Sequence, residues 1–161
     1  MNVELREIDA RNFRAVIALK VGAGQESFIA PNVTSIAQCY VYPHLIPKAI
    51  YAGENLVGFT LYSRDSETRA YWIVRFMIGA GWQGKGHGRA SLAHLLEEIR
   101  RLPKCREILL SCVPSNLGAR KLYESAGFLT TGETNEDGEI IMRYEVAGEA
   151  EPAAVSTANV P

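Results

Sequence analysis

The sequence predicts an α+β fold, a mixed α/β arrangement in which a mainly antiparallel sheet is flanked by helices. Three observations carry this. Two helical patterns precede a run of three strand-like segments, and a helix, a strand, a helix and two further strands follow. The 161 residues, 47% of them hydrophobic, suit one domain with one core. The glycine-rich stretch Gly79-Ala80-Gly81-Trp82-Gln83-Gly84-Lys85-Gly86-His87-Gly88 joins the third strand to the most amphipathic helix.

Asp9 is the expected cap of a first helix over ARNFRAVIALKV, where Phe13, Val16, Ile17 and Val21 recur at near-helical spacing and Gly22-Ala23-Gly24 ends it. A second capping signal, Asn32 to Ser35, opens a short helix over SIAQCYVY, bounded by Pro43 and Pro47. KAIYA, LVGFTLYS and AYWIVRFMI then read as an antiparallel meander, with turns at Gly53-Glu54-Asn55 and in the polar loop RDSETR. In ASLAHLLEEIRRL the residues Leu92, Leu95, Leu96, Ile99 and Leu102 form one stripe, and Pro103 stops the helix. The strand EILLSCV ends at Pro114-Ser115-Asn116. LGARKLYESAG follows as a helix with Leu117, Leu122 and Ala126 inward and Gly127 at its end. FLTTGET and EIIMRYEV flank Asn135-Glu136-Asp137-Gly138, a hairpin signal. Residues 1–146 form the expected domain. The tail 147–161, small and proline-containing, is expected to be disordered.

A net charge of −1 with 22% charged residues offers no field to draw in nucleic acid or an anionic membrane. No apolar run approaches a bilayer span and the N-terminal residues lack a signal peptide's apolar core, so the expected location is cytoplasmic. Cys39, Cys105 and Cys112 lack zinc or C-x-x-C spacing and read as buried free thiols; no metal is expected.

The glycine stretch fits three phosphate-binding patterns. As a dinucleotide fingerprint, Gly79-x-Gly81-x-x-Gly84 would place Gly84, Gly86 and Gly88 inside a helix at about 1 kcal/mol each relative to alanine. As a Walker A loop, Gly79-x-x-x-x-Gly84-Lys85 needs a hydroxyl next, and position 86 is glycine. As Gln83-x-x-Gly86-x-Gly88 opening a helix, it presents free N–H groups and the positive end of the helix dipole to a pyrophosphate without a metal. The third pattern fits best, with Lys85, His87 and Arg89 adding local positive charge.

In AYWIVRFMI, Gln83-Gly84-Lys85-Gly86-His87-Gly88, EILLSCV, Asn116, and AxxLYxxxGF realised as Ala119, Leu122, Tyr123, Gly127 and Phe128, the chain resembles the GNAT superfamily of acetyl-coenzyme A-dependent N-acetyltransferases over about Val3 to Val146. QESFIAPN, SIAQCYVYP, RFMI followed by WQGKGHG, and GEIIMRYEV resemble its polyamine or diamine branch. The resemblance implies a GNAT-like central mixed sheet whose strands AYWIVRFMI and EILLSCV run parallel and splay apart. It implies a pantetheine arm pairing with the backbone of Phe76, Met77 and Ile78, and a pyrophosphate on the turn Gln83, Gly84, Lys85, Gly86, His87, Gly88 and Arg89. Asn116 and Ala119 are further coenzyme contacts. The family often carries an acid after the first splayed strand, where this chain has Gly79-Ala80-Gly81.

Acetyl transfer from a thioester to an amine needs a neutral amine, a stabilised oxyanion and a protonated leaving thiolate. The resemblance carries the general acid onto Tyr123, which by its residue pattern alone is a core tyrosine. Met77 or Ile78 supplies the natural oxyanion N–H. Glu26, in the segment that the family folds over the acceptor, is the expected base. Glu26, Asp65, Glu67 and Glu139 are the carboxylates available to a polyamine. Arg75, inside an apolar strand, calls for a structural ion pair. Acetyl-CoA is then the cosubstrate and a small-molecule amine the partner, with a homodimer expected. The alternatives are an amino sugar, a drug, a peptide or protein N-terminus, or a non-catalytic acetyl-CoA-binding regulatory module.

Overall fold

A computed structural model describes residues 2–65, 68 and 70–146. Seven strands and four helices follow in the order β1 (Val3–Arg6), α1 (Phe13–Ala18), α2 (Asn32–Val41), β2 (Leu45–Ala52), β3 (Asn55–Arg64), β4 (Tyr71–Ile78), α3 (His87–Arg100), β5 (Glu107–Cys112), α4 (Leu117–Ser125), β6 (Leu129–Thr134) and β7 (Ile140–Glu145). The strands form one sheet in the order β1-β2-β3-β4-β5-β7-β6. Every neighbouring pair is antiparallel except β4 with β5. The predicted mixed, mostly antiparallel sheet is therefore present, as is the parallel pair.

That parallel pair is short. Tyr71, Trp72 and Ile73 pair with Ile108, Leu109 and Leu110, and the ladder goes no further. On its other side β4 continues alongside β3 up to Ile78, with one irregularity: Leu61 faces Arg75 and Tyr62 faces Ile73, so Val74 is an extra residue. A bulge of this kind bends the strand and increases its twist. It falls where β4 and β5 separate, so β4 leaves its parallel partner while staying bonded to β3.

Apolar side chains cover both faces of the sheet. On one face Leu92, Leu95 and Ile99 of α3 and Tyr123 of α4 pack with Ile73, Ile108, Leu110, Phe128 and Met142. On the other, Val16 of α1 packs with Ala49, Phe59, Leu61 and Met77. The periodic stripe predicted for α3 is the buried stripe, although the helix starts at His87 and takes Gly88 into its first turn.

Several local expectations are corrected. β1 is absent from the sequence reading because VELR is too short and too charged to stand out; it gains its pairing from β2 alone. Asp9 does not cap α1. Its carboxylate accepts from the Arg11 N–H at 2.8 Å, its carbonyl accepts from Phe13 N–H, and the helix starts at Phe13 and ends at Ala18, short of the glycines. Asn32 lies inside α2 after Pro31, and its buried side-chain amide donates to the Val16 carbonyl at 2.9 Å, pinning α2 to α1. Leu117 points outward at 60% exposure, and Tyr123 takes the inward position on α4. Of the three free cysteines only Cys112 is buried; Cys39 and Cys105 are half-buried. The loop containing Glu67 and the tail 147–161 lie partly or wholly outside the described residues.

Removing the Asn32 amide leaves the Val16 carbonyl with only a long bond from the Leu19 N–H. Asn32→Ala is expected to cost about 2 kcal/mol, the penalty for a buried acceptor losing its partner. The corresponding fall in thermal midpoint is about 4–8 °C for a chain of this size, measurable by circular dichroism.

Candidate active site

The divergence of β4 and β5 opens a cleft of about 920 Å³ that reaches both faces of the sheet. Its walls include β4 from Trp72 to Ile78, Ser111 and Cys112 of β5, the first two turns of α4, and the segment Gln25–Pro31. Phe76, Met77 and Ile78 pair with β3 on one side only, and no residue of β5 is in register with them on the other. The predicted open edge is thus in place, with one group taken: the Ile78 carbonyl accepts from the Gln83 side chain at 2.9 Å.

At one end of the cleft lies the glycine turn. Gly84 and Gly86 have φ of 72° and 85°, a region in which a Cβ is strained, and this reverses the chain tightly into α3. The first intrahelical bond runs from Ala90 N–H to the Gly86 carbonyl, and no side chain caps the helix. The N–H groups of His87, Gly88 and Arg89 therefore point out of the helix end without intrahelical acceptors, in the field of a 14-residue helix. Those donors suit a pyrophosphate. The basic side chains of this turn lie elsewhere: Lys85 is exposed and donates to the Gly81 carbonyl at 2.7 Å, Arg89 is exposed, and His87 is buried edge-on against Trp82. None of the three lines the cleft, whereas Gln83, Gly84 and Gly88 of the same turn do.

A Cβ at Gly79 would come within 2.6 Å of the side chain of Leu19, the residue that follows α1, so a larger residue there would displace that side chain.

Tyr123 is held from both ends of its helix. Asn116 caps α4, its side-chain oxygen accepting from Ala119 N–H at 3.2 Å. At the other end Gly127, at φ 101°, and Phe128 close a Schellman motif: Phe128 N–H bonds to the Tyr123 carbonyl at 3.0 Å and Gly127 N–H to that of Glu124 at 3.1 Å. The Phe128 ring then packs against Tyr123 with centroids 5.9 Å apart. The spacing AxxLYxxxGF is thereby explained as a helix with a cap at each end and a tyrosine locked between them. Burial, reinforced by the neighbouring Cys112, raises the Tyr123 pKa well above that of a free phenol, so the hydroxyl stays protonated across the physiological range.

The polar side chains on the other face are less uniform. Glu26, in the 3₁₀ turn Glu26–Phe28, lines the cleft, is exposed, and forms no hydrogen bond or ion pair among the described residues. Glu139 lines it as well and accepts hydrogen bonds from Ser111 and from the Asn135 side chain. Asp65 lies apart, in a separate small depression with His44, Ser63, Arg64 and Trp72. Glu67 lies outside the described residues. Arg75 does not find the ion pair expected of it: its Nη1 donates to the Val74 carbonyl at 2.8 Å, its Nε is buried without an acceptor, and no carboxylate pairs with it among the described residues. The bulge at Val74 directs it to the cleft wall instead.

One contact was not legible in the sequence. Gln83 and Gln25 exchange side-chain amide hydrogen bonds at 2.8 and 3.1 Å. Gln83, expected to face the coenzyme, thus ties the Glu26 segment to the end of β4.

The chain belongs to the Acetyltransferase (GNAT) family, whose model matches residues 6–128. It is 30% identical over 155 residues to the spermine/spermidine N(1)-acetyltransferase of Bacillus subtilis (strain 168), covering 91% of this chain and all of the relative. The same figures hold for a probable spermine N(1)-acetyltransferase of Bacillus subtilis subsp. natto (strain BEST195). Among solved structures, an aminoglycoside acetyltransferase in complex with coenzyme A superposes with a TM-score of 0.76 at 19% identity, over 89% of this chain and 95% of its own. The spermidine N-acetyltransferase from Vibrio cholerae, in complex with CoA and spermine, gives 0.69 at 19% identity, over 88% and 92%. These two likenesses establish the fold.

Gln83→Ala removes the amide pair and the bond to the Ile78 carbonyl while leaving the β3–β4 ladder itself intact. Amide hydrogen exchange is expected to rise across residues 22–30 while the protection of β3 and β4 is unchanged.

Proposed function

We propose that the chain transfers the acetyl group of acetyl-CoA to a primary amine of a polyamine or diamine, by direct attack and with Tyr123 as general acid. The observation that carries this reading is the cleft itself, with a protonated, buried tyrosine on one face of the sheet and carboxylates on the other. The 30% identical relatives named for spermine and spermidine support the acceptor class.

On this reading the open edge of Phe76, Met77 and Ile78 holds the pantetheine arm as an added strand, and the N–H groups at the start of α3 hold the pyrophosphate. Acetyl-CoA supplies the activated acyl group. A β4 N–H at Met77 or Ile78, fixed by the pairing with β3, meets the carbonyl oxygen as negative charge develops on it. The amine enters from the side of Gln25–Pro31. A carboxylate there, Glu26 or Glu139, takes its proton, and Tyr123 protonates the departing thiolate.

One observation favours a second acceptor class. The unpaired Arg75 guanidinium on the cleft wall suits the carbonyl-rich backbone of a peptide or protein N-terminus better than a polycation. The homodimer belongs to the same proposal. Among the described residues β6 ends the sheet unpaired on its outer side, with Leu129 at 74% exposure, and an uncovered edge of this kind invites a second copy. Sedimentation at micromolar concentration is expected to give twice the chain mass, and a monomer would remove that part of the reading.

Tyr123→Phe is expected to lower kcat about 10²-fold or more while acetyl-CoA binding, read by calorimetry, stays unchanged. Turnover should climb with pH through the acceptor amine's own range without an alkaline fall from Tyr123, because burial keeps that phenol protonated there. Thiol release with spermidine, putrescine, aminoglycosides and peptide amines ranks the acceptors. Full activity in the phenylalanine variant would show that the acid is elsewhere, and no thiol release with any amine would leave a coenzyme-binding module.

A further inference from the structure

Of the three carboxylates that line the cleft, Glu26 and Asp137 are exposed and Glu139 is half-buried, and they differ in how they are held. Glu26 is exposed on a 3₁₀ turn and nothing fixes its side chain among the described residues. Glu139 directly precedes β7, is half-buried, and has its carboxylate clamped between the Ser111 hydroxyl and the Asn135 amide, while its backbone N–H donates to Asn135 Oδ1 at 2.9 Å. The Asp-Gly hairpin thus closes on itself in a way that aims one carboxylate.

The position of that carboxylate follows from strand alternation. Ile108, Leu110 and Cys112 of β5 point to the face of α3 and α4, where Tyr123 lies. Ser111, between Leu110 and Cys112, points to the opposite face, and Glu139 is bonded to it. The last parallel pair is Ile73 with Leu110, so Ser111 is the first β5 residue beyond the ladder. Glu139 therefore stands at the mouth of the gap, on the side away from Tyr123, with the sheet's opening between them. Its charge is felt through the sheet, where it adds to burial in raising the Cys112 thiol.

From this arrangement we infer that Glu139, rather than Glu26, is the catalytic carboxylate that receives the acceptor's ammonium group and takes its proton; the inference rests on the acetyltransferase reading above. The proton balance closes. One ammonium proton passes to Glu139, directly or through a water, and from there to solvent. The free amine forms the C–N bond as the C–S bond breaks. A second nitrogen proton is lost as the amide forms, and it replaces the one Tyr123 gives to the thiolate. The third stays on the amide. Ser111 and Asn135 act as positioning residues for Glu139.

Glu139→Gln keeps the size and hydrogen-bonding capacity but removes the base. The full-length variant is assayed by thiol release with the best acceptor of the amine panel at about pH 7 and about pH 10, together with its acetyl-CoA KM and thermal midpoint. The expected result is a fall of about 10²-fold in kcat/KM for the amine at neutral pH, largely restored at high pH where the amine is free, with acetyl-CoA KM and midpoint unchanged. Glu26→Gln should lose much less. The other ionisable groups around Glu139 are Glu136 and Asp137 on its own turn, Cys112 on β5, Tyr123 on α4, and Glu26 and Arg75 on the cleft wall; the substitution changes none of them. Wild-type activity in Glu139→Gln, or a loss that is the same at both pH values, would overturn the inference. Should the glutamine variant not fold, Glu139→Ala is read by the same criterion, since it also removes the base. If the wild type acetylates some other amine but not spermidine, the polyamine reading falls and the Glu139 comparison is made on that amine. If no amine is acetylated, both fall.

Discussion

The structure depends on the point at which β4 stops pairing with β5. Three residue pairs join the two strands and then the ladder ends, while β4 runs on beside β3. A strand edge in a folded interior carries N–H and C=O groups whose desolvation costs about 1–3 kcal/mol each if nothing bonds to them. The chain meets that cost in part, with the Gln83 side chain on the Ile78 carbonyl, and leaves the rest of the edge open to the cleft. The site is therefore a defect in a sheet, maintained because the residues around it pack well: the α3 stripe and Phe128 on one face, Val16, Phe59 and Leu61 on the other.

Two local motifs turn that gap into a directed one. At one end, two glycines in the left-handed region bring the chain round so that an uncapped helix presents its first N–H groups. Alongside, Asn116 and the Gly127-Phe128 closure fix the ends of α4 and so the height and rotation of Tyr123. Both devices use backbone geometry, which is insensitive to ionic strength. The side-chain charges on the glycine turn are exposed or buried away from the cleft. On the proposed reading, a cradle of amides next to a neutral phenol suits a large anionic coenzyme without repelling a cationic acceptor.

The wall formed between α1 and α2 contains a 3₁₀ turn and is fastened by the Gln25–Gln83 amide pair, by the Ala80 N–H bond to the Lys20 carbonyl and by the packing of Leu19, Val21 and Ile29 against the cluster that includes Val16 and Phe59. Carboxylates at Glu26, Asp137 and Glu139 face one guanidinium at Arg75, so the wall is acidic with one positive point. A connecting segment whose apolar residues anchor it can change its exposed lining residues without disturbing the sheet, which is the physical basis on which one fold accepts different amines.

Much of this was legible in the order of residues. The α3 stripe, the strand pattern, the Asp-Gly hairpin, the glycine turn and the AxxLYxxxGF spacing are all local signals, because each is set by periodicity or by a backbone angle that few residues adopt. β1 was not legible, since four polar-apolar residues become a strand only when β2 offers an edge. Tertiary structure alone decided that Asn32 pins two helices rather than capping one, that Gly79 makes room for Leu19, and that Arg75 faces the cleft unpaired because a bulge at Val74 turns it there. It also decided which carboxylate is fixed: Ser111 and Glu139 are 28 residues apart and meet only across the β5–β7 ladder. The sequence by itself determined the elements and the backbone cradle, through short-range sterics; which side chains meet across the gap is set by strand register and bulge position, which no local pattern encodes.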